Sequence, residues 1–435
     1  MTSDRRVTLL LVVLLAGCHG TVVEPVLPAA WNESDAARPL TRADCIDLAL
    51  RSAPTAAAWQ ARRLAARARL EQAGTLPNPI LGLGWEDFGL NDKAHRITQT
   101  TLTLAWALAD VAAREGRETA ARHDLEAEEA DLRAEAARLS ADVSRAYDEL
   151  VAARSRVALQ QDLASVAERQ RADVAHFVDS GTSPRIDLER AEAESAEAQA
   201  GVDRARSDAR ALELELAFAV GFERPVELQL ADGLTPDLTE PQAALGDLLA
   251  SAAAARPELI GAQARYQAEL QRLQLVADRV RFLPTVTAGP RSQGDELLGV
   301  AGLEVELPLF DSGEAEEHGG QAALLAAAAA LRDAARVVAG QVCAAAARAA
   351  AAQAQLDDHA RDLAERRADL RDRTEKLFRA GGAEYADLAL ARRDEVAARL
   401  AQLDAQLAVA EARIDLQLAL GTFAPPPAAD ETAGP

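Results

Sequence analysis

The chain has 435 residues, a formal charge of −22, 49 % hydrophobic residues and only 3 % aromatic ones. So acidic a chain does not hold nucleic acid, whose phosphates need neutralising cations. Few aromatics beside abundant alanine suit long, closely packed helices rather than a large globular core.

Arg5 and Arg6 form a short positive start, and Val7 to Leu15 is an apolar run too short to cross a bilayer as a helix. It leads into Leu15-Ala16-Gly17-Cys18, the pattern that a lipoprotein signal peptidase cuts before a cysteine that is then acylated. Residues 1–17 therefore read as a lipoprotein signal peptide and Cys18 as the lipidation site. The alternative is an ordinary cleaved signal with a chance cysteine. His19 rather than an aspartate follows Cys18, which leaves delivery to the outer membrane as the default. Residues 18–40 hold Pro25, Pro28 and Pro39 and read as an extended, lipid-anchored arm. Cys45 and Cys343 lie far apart at spacings that argue for no disulfide, so two buried free thiols are expected.

Residues 41–74 carry a helical pattern, broken near Pro54. Pro77-Asn78-Pro79 stops it, and two strands follow within about 80–106, the second with Leu102, Leu104 and Trp106 alternating with Thr101, Thr103 and Ala105. From 108 to 179 no proline interrupts a helix in which Leu132, Ala136, Leu139, Val143, Ala146, Leu150, Ala153 and Val157 step by four and three as a heptad seam. That helix is about 105 Å long. Gly181-Thr182-Ser183-Pro184 turns the chain, with Ser183 as cap and Pro184 in the first turn of a return helix to about 220. The return helix is half as long as its partner. The imbalance resolves if 41–74 and 184–220 stack end to end along the long helix.

After a connector, 222–241, the plan recurs. A helix disturbed near Pro257 leads to two strands within about 285–307, then to a long helix with Leu356, Leu363, Leu370 and Leu377 seven apart. Gly381-Gly382-Ala383-Glu384 turns into a last helix to 420, and the tail 422–435 reads as disordered. Asp187 matches Asp387, Ala191 matches Ala391 and Gly221 matches Gly421 without a gap, so 41–221 and 242–421 are two whole repeats.

Strands of about nine to eleven residues suit a tilted crossing of a bilayer. Four cannot close, and an open edge in lipid leaves backbone groups unpaired. Three chains together give twelve strands. The expected fold is mainly α with a small membrane β-barrel: duplicated long helical hairpins forming an α-barrel, four transmembrane strands per chain, and a 12-stranded barrel in a trimer.

Over 41–421 the chain resembles the TolC-like outer-membrane factors, the trimeric exit ducts of tripartite efflux pumps. Leu76-Pro77-Asn78-Pro79, Glu86-Asp87-Phe88-Gly89, Thr100-Thr101-Leu102-Thr103-Leu104 and Leu307-Pro308-Leu309-Phe310-Asp311 are similar to the CzcC-like heavy-metal cation branch. That branch usually turns after its second strand with a Gly-Gly-Lys-Arg-like run, where this chain has Ala109-Asp110-Val111-Ala112-Ala113-Arg114. The resemblance implies a passive homotrimeric duct in the outer membrane of a Gram-negative bacterium, extending into the periplasm. It implies a periplasmic membrane-fusion adaptor and, through it, an inner-membrane transporter of the RND type as partners. It implies no cofactor and no catalysis.

The resemblance further places Asp387 and Asp187 by a periplasmic gate, where copies of Asp387 would ring the narrow end. The plainer role for both is an acid favourable to the start of a helix. It also makes the turns Gly181, Thr182, Ser183, Pro184 and Arg185, and Gly381, Gly382, Ala383, Glu384 and Tyr385, the tips that meet the adaptor; otherwise they are only turns. Phe378 stands where the family can carry a gate tyrosine. Six histidines are scattered, and Asp173, His176 and Asp179 share one helix face that reads as solvated rather than metal-binding. No nucleophile, base or phosphate-loop constellation stands out, so an enzyme has no site to support it. The competing reading is a structural coiled-coil lipoprotein or an adaptor without a channel, which would not need two amphipathic strand pairs.

Overall fold

The computed structural model describes residues 38–52, 54–86, 99–234, 244–277, 283–293, 296–305, 307, 309–310, 312–380 and 382–423. The signal segment, Cys18, most of the arm, Gly381 and nearly all of the tail lie outside the described residues. In chain order the elements are α1 (Arg42–Ser52), α2 (Pro54–Gly74), β1 (Ile80–Glu86), β2 (Gln99–Ala107), α3 (Leu108–Ala112), α4 (Arg114–Asp179) and α5 (Arg185–Val220). Then come α6 (Leu245–Ala255), α7 (Pro257–Ala277), β3 (Thr285–Gln293), β4 (Glu296–Glu304), α8 (Glu314–Gln355), a π turn (Leu356–Ala360), α9 (Arg361–Arg379) and α10 (Tyr385–Leu420).

Pro54 and Pro257 each begin a helix, where a missing N–H costs nothing, so each divides its segment into a short helix and a longer one. Thr41 and Asp44 cap α1 reciprocally: Thr41 N donates to Asp44 Oδ2 at 2.9 Å and Asp44 N to Thr41 Oγ1 at 3.1 Å. The Thr41 hydroxyl, which donates to Asp44 Oδ2 at 2.6 Å, and then the Thr41 N–H hold the Asp44 carboxyl below the usual carboxylate range.

α4 is the spine. α1, α2, α5, α7 and α10 all pack on it. Arg62 of α2 reaches Glu128 and Glu135, Arg42 of α1 reaches Asp148, Arg154 meets Glu213 of α5, and Ser195 of α5 meets Glu168. The partners advance along α4 in that order, so α2, α1 and α5 are stacked end to end beside it. Burial on α4 is wider than a heptad seam. Leu132, Ala136, Leu139, Ala146 and Val157 are only half-buried, while Ala134, Ala137, Ser140, Ala141, Ser144 and Asp148 are buried, because helices cover α4 on several sides. The long helix also starts later than expected, at Arg114 after the separate α3.

Two cores mark the joints of the stacks. In the first repeat Leu40, Cys45, Ala49, Val143, Tyr147, Leu150, Leu216, Ala217, Val220, Phe222 and Leu228 cluster. In the second, Ala252, Val338, Val342, Ala345, Ala349, Ala412, Leu416, Ala419 and Leu420 do so with smaller side chains. The strands form one antiparallel sheet in the order β1-β2-β3-β4. No described helix is long and apolar enough to cross a membrane.

Candidate functional site

Three places on this scaffold are candidates for function: the sheet at one end, the hairpin tips at the other, and the joint between them. On the sheet, Leu104 pairs with Leu81, Leu102 with Leu83, and Trp106 with Val286, itself opposite Leu303. The pleat puts these side chains on one face. All are exposed, Leu303 by 72 % and Leu104 by 50 %. Thr101, Thr103 and Arg291 lie on the other face, where Arg291 Nε donates to Thr101 Oγ1 at 3.1 Å and its guanidinium stands 3.5 Å from Glu86. One face is oily; the other is mainly polar or small, although Ile80 and Leu298 also lie on it. β1 and β4 are the two edges, and neither has a second neighbour in the sheet. The repeats join at β2 and β3, where Gly289 is obligatory: a Cβ there would sit 1.8 Å from the Leu102 carbonyl oxygen.

At the first tip Gly181 takes a φ of 75°, and Thr182 N reaches back to Phe177 O at 2.9 Å to close α4. At the second tip Gly382 N donates to Leu377 O at the same 2.9 Å. The turns match, but their side chains do not. Pro184 is the N-cap of α5 and makes no side-chain cap, so Ser183 is not the cap residue; its hydroxyl donates instead to Asp187 Oδ2 at 2.9 Å. Glu384 is the N-cap of α10 and forms a capping box with Asp387, whose Oδ2 accepts from Glu384 N at 3.2 Å. Both matched aspartates thus occupy the third helical position and anchor the start of a return helix. Arg190 lies 3.9 Å from Asp187. Thr182, Pro184, Arg185, Gly382 and Glu384 are exposed, and Ser183 and Ala383 half-exposed. Behind the tips Arg392 of α10 donates to Gln170 of α4 and so ties the two hairpins together.

The joint of the first repeat contains a clamp that sequence reasoning missed. Tyr147, fully buried, accepts from Asp232 N at 2.9 Å and donates to Leu40 O at 3.1 Å. It thereby fixes both the entering chain and the connector, which pair as a parallel bridge, Leu40 with Leu230. The signal was available: Tyr147 is one of only three tyrosines, and its counterpart in the second repeat is Ala347. Beside it Arg42 pairs with Asp148 and stacks over the Tyr147 ring at 5.8 Å. Burial pushes the Asp148 carboxyl up against the pull of Arg42. The second joint uses Arg256, 5 % exposed, which donates to Leu418 O and to Gln341 Oε1, both at 2.6 Å.

The expectation of two buried thiols is corrected in part. Cys45 is buried, and desolvation pushes its thiol up to about 12, but Cys343 is exposed on α8; both are free. Cys343 lies on a side of α8 left exposed among the described residues, which a run of alanines in the sequence does not reveal. Asp173, His176 and Asp179 stay exposed on α4, and no cluster able to hold a metal occurs among the described residues.

An outer membrane efflux protein family model matches residues 45–222 and 248–422. A search of curated proteins finds no match. Among solved structures, the outer membrane protein VceC of Vibrio cholerae is similar at 20 % identity and a TM-score of 0.69, over 87 % of this chain and 96 % of that one. CusC is similar at 18 % and 0.72, over 87 % and 92 %, and the MtrE outer membrane channel of Neisseria gonorrhoeae at 20 % and 0.70, over 87 % and 88 %. With both segments of the family model matched on a fold shared with these channels, the chain belongs to the outer membrane efflux protein family.

Proposed function

We propose that this protein is the passive exit duct of a tripartite efflux pump, working as a homotrimer. The observation that supports it is the sheet: two-faced, four-stranded and open at β1 and β4. An open edge in lipid costs several kcal/mol for each unpaired group, and copies of the chain supply the missing neighbours. Three copies close a twelve-stranded barrel with the leucine and tryptophan face toward lipid and the Arg291–Thr101 face toward the lumen. The family consists of efflux channels rather than enzymes.

In this reading the helical hairpins continue the duct into the periplasm. The tips from Gly181 to Arg185 and from Gly381 to Tyr385 receive a membrane-fusion adaptor, which couples the duct to an RND-type transporter in the inner membrane. Asp387, with Asp187 behind it, contributes negative charge at the gate. Its capping box is compatible with this role, since it holds the Asp387 carboxylate at the helix start beside the tip. The motifs around the strands that are similar to the CzcC-like branch favour heavy-metal cations as cargo, although the turn after the second strand departs from that branch. Lipid on Cys18 delivers the chain to the outer membrane: Cys18→Ser is expected to assemble but to lower outer-membrane yield, and equal yield would make the lipid dispensable.

Single-channel recording in a planar bilayer tests the duct. Discrete, cation-selective steps are expected, and Asp387→Ala is expected to raise resting conductance or weaken cation preference. A trimer with no steps even when its adaptor is added would sink the reading, and unchanged conductance and selectivity in the variant would remove Asp387 from the gate.

A further inference from the structure

The seam where the two repeats meet inside one chain holds a pair of like charges. α4 and α10 run antiparallel along it, joined by Arg145 to Asp415 at 2.7 Å and by Arg156 to Asp404 at 2.5 Å. From the first bridge to the second the two helices advance by the same eleven residues in opposite directions. Eleven residues make about three helical turns, so both bridges lie on one stripe. Glu149 stands four residues after Arg145, and Glu411 four residues before Asp415, one turn along that stripe. The register therefore sets Glu149 opposite Glu411, and both are half-buried. At the matched positions of the other repeat the chain has Ala349 and Ala211, so the duplicated plan does not call for acids there.

The cations around the pair are engaged elsewhere. Arg145 is held by Asp142 at 2.6 Å and by Asp415. Arg348 of α8 also reaches Asp415, at 2.9 Å, and Arg42 of α1 pairs with Asp148, which feels Arg413 of α10 as well. From α5, Glu215 adds a further negative charge. Burial pushes both carboxyls up, Glu149 together with Glu215 and Asp148, Glu411 together with Glu149, Asp415 and Asp148, in each case against Arg145. Two half-buried carboxylates face to face repel when both are ionised. A proton taken from water removes the repulsion, and it belongs to the pair rather than to either residue.

We propose that Glu149 and Glu411 form a proton-operated latch between the two repeats, closed when they share one proton in acid and loosened when both ionise as pH rises. The folded pair holds that proton more tightly than the unfolded chain does, so its contribution is complete in acid and is lost toward neutral pH. The latch lies within one chain and stands whether or not copies of the chain close a duct. In a duct it would let periplasmic pH set how freely the second hairpin moves against the first.

The test is amide hydrogen exchange of the full-length protein in detergent at about pH 5 and about pH 8, resolved by peptide with mass spectrometry and corrected for the intrinsic effect of pH. Peptides spanning Glu149 and Glu411 are expected to exchange roughly fivefold faster at the higher pH. Glu149→Gln and Glu411→Gln are each expected to abolish that difference, with no further change when the two are combined. A wild-type protein without the difference would overturn the latch, as would a difference that survives in both glutamine variants. Slower exchange at the higher pH would overturn it too, since that would mark a bridging cation, which needs both carboxylates ionised. The expected pattern in a chain that proves monomeric would support the latch and sink only the homotrimeric duct.

Discussion

The two long helical runs, α4 and α8 through α9, are equal in length and unequal in surroundings. α4 is wrapped by helices of its own chain and buries a tyrosine and an aspartate at its joint. At the matched positions the second run has Ala347, exposed, and Arg348, which reaches outward to Asp415. Duplication preserved the residue count, the proline breaks and the turns. What diverged is what each run faces, since α4 lies in the middle of the chain's arc of helices and α8–α9 on its flank.

This contrast can be broken by substitution. The largest effect is expected at Tyr147→Ala, which empties a fully buried site and releases the clamp on Leu40 and Asp232; about 3–5 kcal/mol should be lost in denaturant unfolding. Ala347→Ser at the matched exposed position should change stability by less than about 0.5 kcal/mol. Next comes Arg256→Ala, which frees the Leu418 carbonyl and Gln341 in the second joint, at a cost of about 3 kcal/mol. At the tips, Glu384→Ala removes a capping box and should cost about 1 kcal/mol. Pro184→Ala, at the N-cap that uses no side chain, should stay within about 0.5 kcal/mol.

The smallest effect concerns pH. Burial pushes the Glu411 carboxyl of α10 up, reinforced by Glu149 of α4 and by Asp415 and opposed by Arg145. Its folded pKa lies above the unfolded value, so its favourable contribution is complete below about pH 4, the unfolded range, and lost as pH rises through the folded pKa. Glu411→Gln should therefore raise the melting temperature slightly near neutral pH and not at pH 4, as scanning calorimetry at both values would show.

The main architecture was legible because its determinants are local. Pro54 and Pro257 cannot continue a helix, Gly181 and its neighbours can only turn, and alternation around Leu102, Leu104 and Trp106 admits only a strand. The repeat doubled every such signal. The π turn left no trace, since Leu356, Leu363, Leu370 and Leu377 keep a perfect heptad spacing through it. Reading that series as one seam hides that Leu356 is buried while Leu363, Leu370 and Leu377, beyond the turn, are exposed. For the Tyr147 clamp the break in the repeat, Tyr147 against Ala347, marks the position, but not its partners Leu40 and Asp232, which are distant in sequence. At the site, the positions of Asp187 and Asp387 follow from the repeat, whereas their different capping partners follow from Pro184 and Glu384, a contrast visible only once the helix starts are placed.

The central claim is that this chain is one lateral slice of a closed duct. Its most direct test is the native mass of the mature, detergent-purified protein. Three copies in one particle, resisting dissociation, is the predicted result. A stable, fully helical single-chain particle at all detergent and protein concentrations would contradict the account, because it would leave β1 and β4 with nothing to cover them.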